Sequence, residues 1–206
     1  MDPARYDVDR TDMVRFIPSD ARRILDVGCA GGRFAAEARN VLEDCEIWGI
    51  DPTPGIDPDP HDRRIHGIYP DALEQDTTFD CIVFNDVLEH MVDPWGVLLR
   101  THAFLAPGGV VVASIPNVRN FVHVVRPLAI NGRWRYADTG ILDRTHLRFF
   151  TRASIVEMFE DARFDMITVE PIHPHDRGRW AALNRALGHR LDEVLALQYA
   201  VVARPQ

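Results

Sequence analysis

The chain predicts an α/β fold, a mostly parallel sheet with helices on both faces, and three observations predict it. Short apolar runs alternate with segments of helical spacing along the chain. One run, "FDCIVFN", is apolar enough for a strand buried on both faces. A glycine-rich turn, "VGCAGG", joins the first run to the first helical segment.

Each element follows in order. A short helix around Asp9–Ile17 stops at Pro18. "RRILDVG" is the first strand, and Gly31 to Leu42 carries Phe34, Ala35, Ala38, Val41 and Leu42 on one helical face. "CEIWGID" is the second strand, "RRIHGI" the third and "FDCIVFN" the fourth. A helix from Pro94 through Leu105 precedes the fifth strand, "GVVVASI". The alternation then breaks over 116–151, which holds a helical run ("VRNFVHVVRPLAI", with Pro127 as a kink point), an Asn131-Gly132 turn and "TGILDRTHLRFF". Thr151 caps a helix through Asp161. "FDMITVE" and "ALQYAVVAR" close the sheet at seven strands, separated by an amphipathic run with Trp180, Leu183, Leu187 and Leu191. The expectation is one domain over 1–206, with 117–150 inserted between strands five and six as a substrate lid.

Composition narrows the function classes. A chain of 206 residues, 46% hydrophobic and 26% charged, reads as an ordinary globular domain. Its net charge of −8 argues against a general nucleic-acid binder, which needs positive charge to displace counterions from phosphate. No apolar stretch is long enough to span a membrane. Cys29, Cys45 and Cys81 form no C-x-x-C pair, so they read as buried, reduced thiols of a cytoplasmic protein.

The turn after the first strand is where a ligand would meet backbone N–H groups. Two fingerprints compete there. The dinucleotide pattern G-x-G-x-x-G fails at two of its three glycines, because Ala30 and Arg33 occupy those places. The stretch "LDVGCAGG" resembles instead the D-x-G-x-G-x-G loop of class I S-adenosylmethionine (SAM) methyltransferases, with Asp26, Gly28 and Gly32 in register and Ala30 in place of the middle glycine. "FDCIVFNDVLEHMVDP" is similar to that family's fourth-strand signature, and "LAPGG" before strand five also recurs in it. The resemblance implies a Rossmann-like sheet with an antiparallel last strand, and SAM as cofactor. It also implies site roles: Asp26 accepting from the cofactor's amino group or the loop amides, Asp51 on the ribose hydroxyls, Asp71 and Ala72 beside adenine, Asn85 beside the methionine portion. "DPTPGIDPDPHD" departs from the family, since its prolines disfavour the helix that usually follows strand two.

Methyl transfer from a sulfonium to a hydroxyl needs alignment and gains from removal of a proton. Among nine histidines, His146 in the inserted segment is the leading base, with Asp143 before it and His90 in "LEH" as further catalytic candidates. An extended "RTHLR" would put Arg144, His146 and Arg148 on one face. Asn117, Arg133, Trp134, Tyr136, Arg144 and Arg148 are candidates for acceptor binding. The passage "SIPNVRNF…INGRWRYADTGILDRTHLRFFT" is similar to a methyltransferase subgroup of glycan and secondary-metabolite biosynthesis, which implies a sugar hydroxyl as acceptor, narrowed to a mannoside of methylated polysaccharides. "VLEHMVDP" equally resembles ubiquinone-pathway O-methyltransferases, so a phenol, a carboxylate or an amine stays open. So does a non-catalytic SAM-binding subunit resembling methionine-biosynthesis protein W. A divalent ion such as Mg²⁺ is compatible with Glu89, His90, Asp143 and His146, although their spacing is no metal motif. The remaining partner expectation is a homodimer through the proline-rich loop and the 177–191 run.

Overall fold

The computed structural model describes residues 10–42, 44–55, 58–174 and 178–206. A short helix α1 (Thr11–Val14) leads into β1 (Arg23–Val27), α2 (Arg33–Ala38), β2 (Glu46–Asp51), β3 (Arg63–His66) and β4 (Phe79–Asn85). Then follow α3 (Pro94–Thr101), β5 (Leu105–Pro116), α4 (Arg126–Asn131), α5 (Arg152–Asp161), β6 (Phe164–Pro174), α6 (Gly178–Ala186), α7 (Asp192–Leu195) and β7 (Ala196–Pro205). The seven strands form one sheet in the order β3-β2-β1-β4-β5-β7-β6. β1 to β5 pair in parallel, and β7 runs antiparallel to both β5 and β6. That is the expected mostly parallel sheet with an antiparallel last strand.

The central strands are apolar on both faces, and their period of two divides the core in two. Leu25, Ile82, Phe84, Val111 and Ala113 pack on one side with Ile155, Met158 and Phe159 of α5. Ile24, Ile47, Cys81, Val83 and Val112 pack on the other with Met13 of α1 and with Phe34, Ala35 and Ala38 of α2. All three cysteines are buried and unpaired.

Some boundaries moved for identifiable reasons. The first long helix begins only at Arg33, because Gly32 takes a left-handed φ of +79° that no helix contains. It ends at Ala38, and Val41, expected inside, is exposed. The helix expected across 118–130 is split. Phe121–Val125 is a π-helical turn, closed by Val125 N–H donating to Asn120 C=O, and α4 begins at Arg126 with Pro127 in its first turn. Pro127 has no N–H to continue the ladder, so the wider turn ends there. The capping box at Thr151 is present, with the Ser154 amide donating to the Thr151 hydroxyl and the Ser154 hydroxyl accepting from the Thr151 amide. In α6, Ala181 and Asn184 are buried while Leu183, and Leu187 just beyond the helix, are exposed, so the apolar face expected there is turned partly outward.

The segment 117–150 does leave the sheet between β5 and β6. Its ends meet: Asn117 and Phe150 form an isolated bridge, and Val118 N–H donates to Phe150 C=O at 2.9 Å. No helix among the described residues is long and apolar enough to cross a membrane.

Candidate active site

β1, β2, β4 and β5 bring their carboxyl ends to one edge of the sheet, and the strand order reverses between β1 and β4. Open α/β sheets bind ligands in the crevice at such a switch point. Asp26, Asp51, Asn85 and Asn117 all lie at or beside those strand ends.

On the β1–β2 side the chain is tightly tied to itself. Gly28 and Gly32 have φ of +70° and +79°. A Cβ on Gly28 would fall 2.7 Å from Val87 Cγ2, and one on Gly32 would fall 2.5 Å from Pro60 Cγ, so glycine is required at both. Ala30 replaces the family's middle glycine and still takes a positive φ of +40°. Two bonds hold it there: its N–H donates to Asp51 Oδ2 at 3.0 Å, and Arg64 donates to its carbonyl at 2.8 Å. Asp51 also accepts from Thr53 N–H at 2.7 Å, so the carboxylate expected on ribose anchors two loops, with lone pairs left over for a ligand.

Asp26 is 2% exposed and faces neither loop amides nor open space. His61 lies over it, Nε2 3.4 Å from Asp26 Oδ2, with its Nδ1 2.6 Å from Asp59 Oδ1. Burial raises the Asp26 carboxyl above its usual range, and His61 offsets only part of that. Burial pulls His61 down, but the hydrogen bonds and charges of Asp26 and Asp59 outweigh it and raise the imidazole. The described part of the proline-rich loop holds no helix, as expected, and instead folds His61 and Pro60 onto the glycine turn. Neither His61 nor Arg64 was among the site residues expected from the sequence, and both reach the glycine turn only through the return of the chain after Pro60.

The Asp71 side chain is largely exposed and forms an ion pair with Arg100 of α3, and Ala72 is exposed beside Gly67. Asn85 ends β4. Both polar atoms of its amide are buried and have no hydrogen-bond partner. A buried amide left unpaired costs about 1–3 kcal/mol, so a partner from outside the chain is the economical explanation. With the glycine turn and Asp51 beside it, this orphaned amide fits a cofactor of SAM's polarity.

Beyond Asn85 the chain makes one 3₁₀ turn, Leu88–His90, and the inserted segment docks on it. Glu89 C=O accepts from Leu147 N–H at 2.8 Å and Arg148 N–H at 3.0 Å. The Glu89 side chain is 1% exposed, and neither carboxylate oxygen has a hydrogen-bond partner. Burial pushes its carboxyl up to about 8. His146 is buried with Nε2 3.9 Å from Glu89 Oε1, while its Nδ1 donates to Ile141 C=O at 3.0 Å. His90 stacks edge-on against it, ring centroids 4.7 Å apart, and donates from Nδ1 to Thr145 C=O at 3.2 Å. Burial lowers both imidazoles, and the neighbouring His146 lowers His90 further, so both are neutral at pH 7.

Other candidates are placed differently. Asp143 is buried, and its Oδ1 accepts from the Thr145 N–H and hydroxyl, so it builds the turn that presents His146. Asn117 is fully buried and donates to the carbonyls of Glu193 and Ala196, which makes it a clamp between β5 and α7 and not an acceptor contact. The "RTHLR" stretch is turned and not extended: His146 is buried, Arg144 is exposed in an ion pair with Asp138, and Arg148 donates to Val92 C=O. The predicted shared face therefore does not exist. Trp134 and Tyr136 stay exposed and gather around Phe149, with Trp134–Phe149 centroids 5.1 Å apart. Arg133 lines a 460 Å³ depression with Pro127, Asn131 and Arg135, apart from the Glu89 group.

Residues 7–169 match the sequence profile of a family described as a methyltransferase domain. The chain belongs to that family. With the sheet order above, it is a class I SAM-dependent methyltransferase. A ubiquinone biosynthesis O-methyltransferase of Azorhizobium caulinodans is 26% identical over 204 residues, covering 87% of this chain and 77% of the relative. A trans-aconitate 2-methyltransferase of Methylobacterium radiotolerans is 29% identical over 144 residues, and this chain spans only 55% of its length. Among solved structures, the Burkholderia thailandensis 1,6-didemethyltoxoflavin-N1-methyltransferase, bound to 1,6-didemethyltoxoflavin and S-adenosylhomocysteine, shares the fold. Its TM-score is 0.63 at 16% identity, over 95% of this chain and 77% of that one.

Proposed function

We propose that this methyltransferase O-methylates a phenolic hydroxyl on a small aromatic or quinone-precursor ring. The sugar acceptor that the inserted segment suggested gives way to this reading. The observation that carries it is the buried Glu89–His90–His146 group beside Asn85, a neutral, desolvated set able to help a weakly acidic hydroxyl lose its proton. A phenol, with a pKa of about 10, is within reach of such groups, whereas an aliphatic hydroxyl is far less acidic. The kinship to ubiquinone biosynthesis O-methyltransferases supports the same acceptor class. Exposed Trp134 and Tyr136, clustered around the half-buried Phe149 on the inserted segment, offer ring faces on which an aromatic acceptor can stack.

When bound, SAM supplies an electrophilic methyl group on sulfur. Asn85 and Asp51 are the residues that would hold it by hydrogen bonds, with the backbone from Gly28 to Gly32 beside them. Asp26 acts through His61, which fixes the turn. The acceptor's hydroxyl would lose its proton beside the Glu89–His90–His146 group, which Asp143 and the Ile141 carbonyl keep in position.

The test is incorporation of label from methyl-labelled SAM into a panel of catechols, hydroxybenzoates, carboxylic acids and monosaccharides. Label in the phenols is expected. Label confined to sugars or to acids would reject the phenolic reading.

A further inference from the structure

Two features of the Glu89–His90–His146 group go beyond proton transfer. The first is that an unpaired, fully buried carboxylate sits where protein interiors rarely leave one. The second is the way the two imidazoles are held. Each donates its Nδ1 proton to a backbone carbonyl, His146 to Ile141 and His90 to Thr145. A carbonyl only accepts, so both rings are fixed as the tautomer with the lone pair on Nε2. This is how proteins orient histidines that bind metal ions.

From these contacts we infer that Glu89, His90 and His146 form a binding site for a divalent first-row transition-metal ion. One ligating atom from each residue lies within 4.8 Å of the others, and His146 Nε2 is 3.9 Å from Glu89 Oε1. Ligand atoms around a tetrahedral ion at about 2.1 Å stand roughly 3.4 Å apart, so a small side-chain adjustment closes the set. Two nitrogens and one oxygen suit Zn²⁺, Mn²⁺, Fe²⁺ or Co²⁺ better than Mg²⁺, which prefers oxygen ligands and keeps its water. Asp143, also considered as a ligand, is spent on Thr145. Three protein ligands leave coordination positions open.

The site stands on geometry alone. Its role rests on the proposed phenolic acceptor: the hydroxyl oxygen takes an open position, its O–H bond breaks with the proton passing to solvent water, and the oxygen then attacks the methyl carbon as the C–S bond breaks. The ion lowers the pKa of the bound hydroxyl as it lowers that of bound water.

Binding is measured on the full chain after stripping with chelator, by calorimetry with Zn²⁺ and Mn²⁺ and by the visible spectrum with Co²⁺. One ion per chain is expected, with at least tenfold weaker binding in Glu89→Gln and in His146→Asn, and a Co²⁺ spectrum altered from that of the hydrated ion. No binding by the unmodified chain, an unaltered Co²⁺ spectrum, or equal binding by variants that still bind SAM would overturn the site. Because the Co²⁺ spectrum needs no variant, a misfolded substitution cannot mask the outcome. An ion that binds while no phenol is methylated would reject the acceptor reading and leave the site standing.

Discussion

The two halves of the crevice treat their buried carboxyl and amide groups in opposite ways, although Arg64 Nε on the first side is also unpaired. On the β1–β2 side, Asp26, Asp51 and His61 each have a protein partner, and Arg64 ties the glycine turn to the loop after β2. On the β4 side, the Asn85 amide and the Glu89 carboxylate are buried with no hydrogen-bond partner. The first pattern stabilises a backbone shape. The second holds unfilled capacity for something outside the chain, because nothing in the fold repays its desolvation. Substitutions on the two sides should therefore divide cleanly between stability and chemistry.

The largest expected effect is at His146. His146→Ala should lower kcat by about 10²–10⁴-fold, the usual span for a group that assists proton loss. SAM affinity, measured by calorimetry, should stay within a few-fold. Near-normal kcat would remove the β4 side from the chemistry and leave the unpaired Glu89 without an account. A carboxylate acceptor, already ionised at pH 7, would show the same indifference, so the experiment also separates acceptor classes.

Asn85→Ala comes next and reverses the usual expectation for a buried polar residue. It should weaken SAM binding about tenfold, the worth of one or two hydrogen bonds, while leaving the melting temperature unchanged or slightly higher. A clear loss of stability with normal SAM affinity would show that the amide has a structural partner after all. Asn117→Ala is the contrast: it removes two hydrogen bonds to the Glu193 and Ala196 carbonyls, which keep Tyr199 and Asn120 as donors, and should cost about 1–2 kcal/mol in denaturant unfolding.

The division also explains what the sequence could tell. Strands were legible because their apolar runs have a fixed period, and "FDCIVFN" became β4 without a shift. The glycine turn was legible because left-handed φ leaves glycine little competition. What escaped were contacts made by return of the chain in space. Nothing in "DPDPHD" states that His61 ends beside Asp26, 35 residues away. Nothing in "RTHLR" states that it turns, since the turn depends on Asp143 accepting from Thr145 and on Glu89 accepting from Leu147 and Arg148. Asn117 looked like an acceptor contact because strand ends in this fold face ligands, yet the neighbouring α7 claimed its amide first.

The smallest effect tests the satisfied side. Both His61 and Asp26 have raised proton affinity in the folded chain, so from each group's ordinary pKa upward the native state binds more protons than the unfolded one. For His61 the sign is definite: its stabilisation is complete below the unfolded histidine pKa of about 6.5 and is lost as pH rises through the higher folded value. Asp26 adds in the same direction. Asp59 is shifted down, but its contribution changes only in acid, near the ordinary carboxylate range, outside this window. Glu89, raised to about 8, acts in the same direction, and His90 and His146, both lowered, act in the opposite one, so the His61 share is read as the difference in urea midpoint between the unmodified chain and His61→Gln. That difference should be largest at pH 5.5 and shrink by pH 8.5, because glutamine has no proton to exchange. Equal pH dependence in the two proteins would mean that the His61–Asp26 contact does not anchor the glycine turn, and the contrast between the two sides would lose its stabilising half.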